Sequence, residues 1–381
     1  MTAVVATELR YIPNQQVPAE RVDMDITPQH LKVTSRIKHA ILQKYLPAWS
    51  SILGSANSTL GYVDCYAGPG VYEHGGIKSD GSPVIAVKAA DRYLEKNPGR
   101  RFFVFLVEEV ESKRDSLEQQ LEALKPYREG LRVVVVHADA VNFVPLLLER
   151  SAPIPSFFMV DPYGHPLTIP ILNQILARPR TEALINFMYF IINRDIDNPV
   201  MKQRVDKMFG DDDWRQQRFL SLSGYEREIA FLDYFESRIE AKFKFHFRIK
   251  FDPEDRNQAN RTKYYLVHAS NNIKAVLLMK DVMHPLGDEI GTFAFGGTKS
   301  AQGSLFRAGP SPADLEKQLL DRYRGKELEY DTIREETWKL PFADKEYRAV
   351  IKDMEDKSQV AIARVTSKKT GLKKRDRIRF K

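Results

Sequence analysis

The chain has 381 residues, 43% of them hydrophobic, one cysteine and a net charge of +7. That length and apolar content exclude global disorder and allow two domains, or one large domain with additions. One cysteine excludes an intrachain disulfide or a cysteine-rich zinc site and fits a reducing, cytoplasmic setting, while no apolar run is long enough to span a membrane.

Residues 1–27 are polar, carry Pro13 and Pro18, and have no apolar signal segment; they read as an extended arm. Thr27 and Pro28 fit the N-cap and first turn of a helix running through Leu31, Ile37, Ile41, Leu42 and Tyr45, with Pro47 as its predicted stop. Strands and helices then alternate. Strands are predicted at Gly61–Cys65, Arg101–Glu108, Leu131–His137, Ser156–Asp161 and Ala183–Phe190, each a short run of the kind buried on both faces. Helices are predicted from Ser82 to Leu94, with Ser82 as N-cap and Pro83 at N1, from Ser112 to Leu124, and after Thr168. Such alternation indicates a parallel sheet with right-handed crossovers.

Further on, Pro199–Phe209 and Tyr225–Phe243 read as helices, and Phe243–Phe251 and Lys263–His268 as an antiparallel pair closing the sheet. Gly287–Pro312 is rich in glycine and reads as a linker. From about Ser311 a second unit is predicted: helices at Pro312–Tyr323, Asp331–Trp338 and from Asp344, then strands at Gln359–Thr366 and Arg375–Phe380. Three helices and a basic hairpin outline a winged helix-turn-helix. The expected division is an arm (1–27), an α/β domain (28–286), a linker (287–310) and a winged-helix domain (311–381).

Four strand ends carry acidic residues in turn chemistry. The first is Tyr62-Val63-Asp64-Cys65-Tyr66-Ala67-Gly68-Pro69-Gly70, where Gly68 and Gly70 suit a tight turn. Glu73 follows where a dinucleotide fingerprint needs a third glycine, so that motif fails. A carboxylate four residues before the first glycine instead fits an S-adenosylmethionine (SAM) site, with Tyr66 and Ala67 in its wall; an ordinary strand–turn fits the segment equally. Glu108 ends the second predicted strand, where a carboxylate accepts hydrogen bonds from ribose hydroxyls. It lies farther along the chain than usual, which an insertion over His74–Asp80 explains. Asp139 ends the third and is placed to face an adenine amine.

The fourth is Asp161-Pro162-Tyr163-Gly164. Its carboxylate can hold an exocyclic amine and its ring can stack on an unstacked base; a plain Asp-Pro turn with a core tyrosine is the alternative. Cys65 can be written as a nucleophile, but its place inside the turn favours a packing role. His165 either orients a base or is structural. The histidines show no metal-binding spacing, and no metal is expected.

The basic charge is concentrated at the end of the chain. Residues 361–381 carry nine basic and one acidic residue, so the rest is close to neutral. Lys345, Arg348 and Lys352 fall on one side of the third helix of this unit, and Lys368, Lys369, Lys373, Lys374 and Arg375 on the hairpin. Both fit a nucleic-acid footprint. A solvated helix face or a protein-docking winged helix fits the same residues.

Taken together, Tyr45-Leu46-Pro47-Ala48-Trp49, the Asp64–Gly70 turn, Gly81-Ser82-Pro83, Asp161-Pro162-Tyr163-Gly164 and the basic hairpin resemble the three-Cys-motif partner family of bacteria and phages. The resemblance implies a Rossmann-like class I methyltransferase sheet with an antiparallel last strand, and SAM as cofactor. It also implies a neighbouring three-cysteine protein similar to radical-SAM proteins as partner. Asp161–Gly164 further resembles the motif of amino-methyltransferases, without the usual second proline. Two functions follow: methyl transfer to a base amine of DNA or RNA, or non-catalytic nucleic-acid binding on a methyltransferase scaffold.

Overall fold

A computed structural model describes residues 33–74, 77–162, 167–251, 261–287, 294–295, 310–365 and 371–381. The larger unit begins with α1 (Val33–Gly54), β1 (Thr59–Asp64), β2 (Val71–His74), β3 (Ile77–Asp80), α2 (Ser82–Lys96) and β4 (Arg101–Glu108). It continues through α3 (Glu111–Glu122), β5 (Leu131–His137), α4 (Ala140–Arg150), β6 (Ser156–Val160), α5 (Ile169–Ala177) and β7 (Thr181–Phe187). Then come α6 (Tyr189–Asp195), α7 (Pro199–Phe209), α8 (Gly224–Arg238), β8 (Phe243–Lys250), β9 (Thr262–Ser270), α9 (Ile273–Met283) and β10 (Ala294–Phe295).

Eight of these strands form one sheet in the order β10-β8-β9-β7-β6-β1-β4-β5. β5, β4, β1, β6 and β7 are mutually parallel, and β9 runs antiparallel between β7 and β8. This is the mostly parallel α/β sheet with an antiparallel late strand expected from the sequence. The chain moves outward from β1 in both directions, so the crevice at the carboxyl ends of β1 and β6 is a topological switch point, where ligands of open α/β sheets sit. Apolar layers cover both faces. Phe143, Leu172 and Phe235 belong to one; Trp49, Tyr93 and Met279 belong to the other.

The first helix does not stop at Pro47; it runs on to Gly54. A proline costs one backbone hydrogen bond inside a helix, but Pro47 is exposed, so water replaces what is lost. Anchors on both sides of Pro47 hold the helix on the sheet. The buried Glu182 carboxylate accepts from the Tyr45 hydroxyl, from Trp49 Nε1 at 3.2 Å and interacts with His268 Nε2 at 3.0 Å. The predicted start at Thr27–Pro28 lies outside the described residues.

Other boundaries shift for local reasons. Gly81, not Ser82, is the N-cap of α2, which places Pro83 one position later. The run after Ala183 turns helical at Tyr189. The insertion expected before α2 is a hairpin, β2 paired antiparallel with β3. The helices α4, α6 and α9 were not expected; α4 carries Pro145, which obscures its periodicity.

The C-terminal unit contains α10 (Pro312–Tyr323), β11 (Glu327–Glu329), α11 (Tyr330–Glu336), α12 (Asp344–Asp356), β12 (Val360–Ala363) and β13 (Arg377–Phe380). α11 starts at Tyr330 after an N-cap at Glu329, so Asp331 is not its cap. The three strands form an antiparallel sheet in the order β11-β13-β12, and β11 is an addition to the predicted hairpin. Leu315, Tyr330, Ile351, Ile378 and Phe380 build a core separate from the large sheet's layers.

Polar groups join the two units. Lys280 of α9 is buried and donates to Trp338 O at 2.6 Å and Leu340 O at 2.5 Å. Burial, then the nearby Arg334, lowers its pKa to about 7. Asp281 accepts two hydrogen bonds from Arg334 Nη2 and one from Asp344 N.

Candidate active site

The first turn is built by its own backbone. Gly68 and Gly70 adopt φ of 67° and 84°, a region that disfavours any residue with a Cβ. Gly81 N donates to Gly70 O at 2.7 Å, so the Gly68–Gly70 and Gly81–Pro83 motifs form one structure. Asp64 lies beneath it at 0% exposure. It accepts from Tyr62 Oη at 3.0 Å, Tyr66 N at 3.3 Å and the Ser82 hydroxyl. Burial raises its pKa to about 6 despite those bonds. Asp64 therefore braces the turn from below and does not line the cleft above it.

That cleft is lined by Lys38, His39, Tyr66, Gly68, Glu108, Asp139 and Asp161, among others. Glu108 is 7% exposed and bridges the strand end to the turn: one oxygen accepts from Gly68 N and the other from Val110 N, both at 2.8 Å. A carboxylate has about four lone-pair positions, so acceptor capacity remains. Asp139 is the N-cap of α4, accepting from Val141 N at 3.0 Å, and its carboxylate still borders the cleft. Ala67 is buried and donates from its backbone to Val107 O at 2.8 Å, while Gly70 packs over Leu117, outside the cleft. Cys65 is buried, and burial together with Asp64 pushes its thiol pKa up; this is the packing role, not a ready thiolate.

Sequence reasoning missed three residues beside Asp161. Lys38 Nζ forms an ion pair with one carboxylate oxygen, and the two side chains are 11% and 23% exposed. Asn186 Nδ2 donates to the other oxygen at 2.6 Å. Asn186 is buried, and its own Oδ1 has no hydrogen-bond partner among the described residues. His39 also lines the cleft, with an Nδ1 that has no hydrogen-bond partner among the described residues; burial, then Lys38, lowers its pKa to about 4, so the ring is neutral near pH 7. A helix before β1 supplies Lys38 and His39, and the end of β7 supplies Asn186; no motif marks either.

A second cavity adjoins the first. It is apolar, with Pro162, Asn186, Met188, Ile191 and Met201 in its lining. Asp161 and its partner Asn186 thus stand between a polar cleft and an apolar cavity. Tyr163 and His165 lie outside the described residues.

In the C-terminal unit, Lys345 and Lys352 are exposed, and Arg348 on the same face pairs with Asp344. Lys373, Lys374 and Arg375 are exposed, while Lys368 and Lys369 lie outside the described residues. Among the described residues no group of three or more His, Cys, Asp or Glu side chains is arranged to hold a metal ion. No helix of the described residues is long and apolar enough to cross a membrane.

No protein-family model and no curated protein matches the sequence. Among solved structures, the chain is similar to the Legionella pneumophila protein LPL1258, with a TM-score of 0.39 and 14% identity over 63% of this chain and 85% of that one. It is also similar to Trm1 from Pyrococcus horikoshii, solved with S-adenosyl-L-methionine: TM-score 0.33, 11% identity, 88% of this chain and 90% of that one. For a SAM-dependent methyltransferase from Agrobacterium tumefaciens the values are 0.29, 11%, 60% and 61%. At scores this low, the chemistry has to come from the chain's own residues.

Proposed function

We propose that this chain is a SAM-dependent methyltransferase acting on an exocyclic amine of a nucleic-acid base. The observation that carries the reading is Asp161 with Asn186 at the meeting of the two cavities, on the edge of the switch-point cleft.

The cleft's donors and acceptors fit the cofactor. Glu108, at the end of β4, has lone pairs for ribose hydroxyls; Asp139 borders the adenine side; the Gly68 turn permits close approach. The unpartnered His39 Nδ1 is a further acceptor or donor for the amino-acid end. Asp64 contributes indirectly, by fixing the turn. When bound, SAM supplies an electrophilic methyl group on a sulfonium.

The protein's part is positioning. A base lying in the apolar cavity beside Pro162 and Met188 presents its amine to two acceptors, the Asp161 carboxylate and the free Asn186 carbonyl oxygen. Holding both N–H bonds aims the nitrogen lone pair toward the cleft. Lys38 already donates to Asp161, so an entering amine displaces one Lys38 contact. The C-terminal unit, with three helices and a three-stranded basic sheet, is read as a winged helix that anchors the polyanion through Lys345, Lys352, Lys374 and Arg375. The finer assignment, a three-Cys-motif partner working beside a radical-SAM-like protein, rests on the sequence motifs.

The test is transfer of a tritiated methyl group from SAM to DNA and RNA by wild type and Asp161→Asn. Incorporation lost in the variant supports the reading; none in wild type, with SAM bound, overturns it. That second result favours the scaffold alternative, which the Lys38–Asp161 pair also favours because it fills the amine's acceptor.

A further inference from the structure

The carboxyl ends of β7 and β8 and the start of β9 lie on the same sheet edge as Asp161, because β9 runs antiparallel to both. Phe251, just past β8, donates its backbone N–H to Arg261 O at 2.9 Å. Its ring meets Phe190 of α6 edge-on, with centroids 4.7 Å apart. Cations lie over these rings. Arg194 and Arg261 each stand 5.8 Å from the Phe190 centroid, and Lys263 Nζ stands 5.7 Å from that of Phe251.

The series continues inward. Lys263 Nζ is also 6.0 Å from the Tyr264 ring centroid, and Lys38 Nζ, which pairs with Asp161, stands 5.4 Å from the same centroid; Tyr264 itself is buried. The accessible part of the rim is Phe190 and Phe251 with Arg194, Arg261 and Lys263, and the buried Tyr264 connects it to Lys38 and Asp161.

We propose that this rim is a stacking platform for an unpaired nucleic-acid strand, which delivers a base to Asp161; the inference deepens the reading above and rests on it. The chemistry selects the occupant. Cations in series attract a phosphate backbone, and an unpaired base stacks on a ring face by replacing the cation that now lies over it. A duplex hides its base faces and leaves the rings without partners. Asp195 pairs with Arg194 and reduces its charge, but Arg194 remains 59% exposed and within reach of a phosphate. Anchoring by the C-terminal unit is sequence-tolerant and salt-dependent, whereas the rim adds a preference for unpaired strands.

The experiment is a fluorescence-anisotropy titration of the full chain with a short mixed-sequence single strand and the matching duplex, without cofactor. SAM calorimetry is run on the same samples. Wild type binds the single strand more tightly than the duplex. Phe190→Leu, which keeps an apolar side chain and removes the ring, weakens single-strand binding about tenfold and leaves duplex binding unchanged. Arg194→Gln, at an exposed position, lowers single-strand affinity with folding intact.

Single-strand affinity unchanged in both variants overturns the inference, as does a duplex preference in wild type. So does displacement of the strand by polyglutamate at equal charge, which points to an acidic protein surface. These failures leave SAM binding in place; absent SAM binding with rim-dependent strand binding strikes the enzymatic reading instead.

Discussion

The molecule has two basic regions that hold their charge differently. In the C-terminal unit, several cations are already answered by carboxylates. Arg364 makes paired bonds to Glu355, Arg377 and Arg379 flank Glu327, Arg348 meets Asp344, and Lys357 lies between Glu316 and Asp353. On the rim near Asp161, Arg194 pairs with Asp195, and Arg194, Arg261 and Lys263 also lie over aromatic rings. The difference teaches that a charge count overstates one region and overlooks the other. The basic tail dominates the sequence, yet part of its charge stabilises its own small sheet.

The largest expected effect lies where the rim ends. Asp161→Asn removes the charged acceptor and is expected to lower methyl transfer about a hundredfold or more, with SAM affinity retained. Single-turnover assays beside calorimetry separate the two. Equal losses in both would remove Asp161 from the amine site and erase the distinction between the regions.

The seam between the units comes next. Lys280→Met removes the buried donor to the half-buried Trp338 and Leu340 carbonyls, and is expected to cost about 1–3 kcal/mol in denaturant unfolding. Lys280 has a lowered folded pKa, so the unfolded chain binds the extra proton between about pH 7 and its ordinary range. Wild-type stability then rises with pH above about 7, and the variant lacks that slope. An unchanged slope in Lys280→Met would place the titration elsewhere.

Asp64 gives a smaller effect of opposite sign. Its folded pKa is raised to about 6, so its favourable contribution is complete below the ordinary carboxylate pKa and is lost as pH rises through about 6. Asp64→Asn should flatten thermal stability across roughly pH 4–6. A melting-temperature profile parallel to wild type would contradict the buried, ionisable brace.

The smallest effect sharpens the comparison most. Lys352→Gln removes an exposed cation and should reduce the salt slope of duplex binding by about one phosphate contact. Arg348→Gln should change that slope less, because Asp344 already holds Arg348. Equal slopes for the two would mean that internal pairing does not subtract from the footprint.

Much of the fold was legible. Arg101–Glu108 occurs as read, because a strand buried on both faces leaves an unbroken apolar run; Leu131–His137 also occurs as read, from its run of valines, although it is an edge strand only partly buried. The continuation past Pro47 was not legible, since its cause is Glu182, far away in sequence. The site divides in the same way. Glu108, Asp139 and Asp161 announced themselves at strand ends. Lys38 and Asn186 did not, because they stand 123 and 25 residues from Asp161 and meet it only through the sheet. Asp64 kept its place in the motif but supports the turn from beneath instead of facing the cleft.

The central claim is that the switch-point cleft holds SAM against Glu108. Isothermal titration of SAM into the full chain tests it directly. One binding site per chain, weakened at least about tenfold by Glu108→Ala, which removes hydrogen bonds to a charged group, is the predicted result. No binding heat at several temperatures in folded wild-type protein, or binding indifferent to Glu108→Ala, would contradict it.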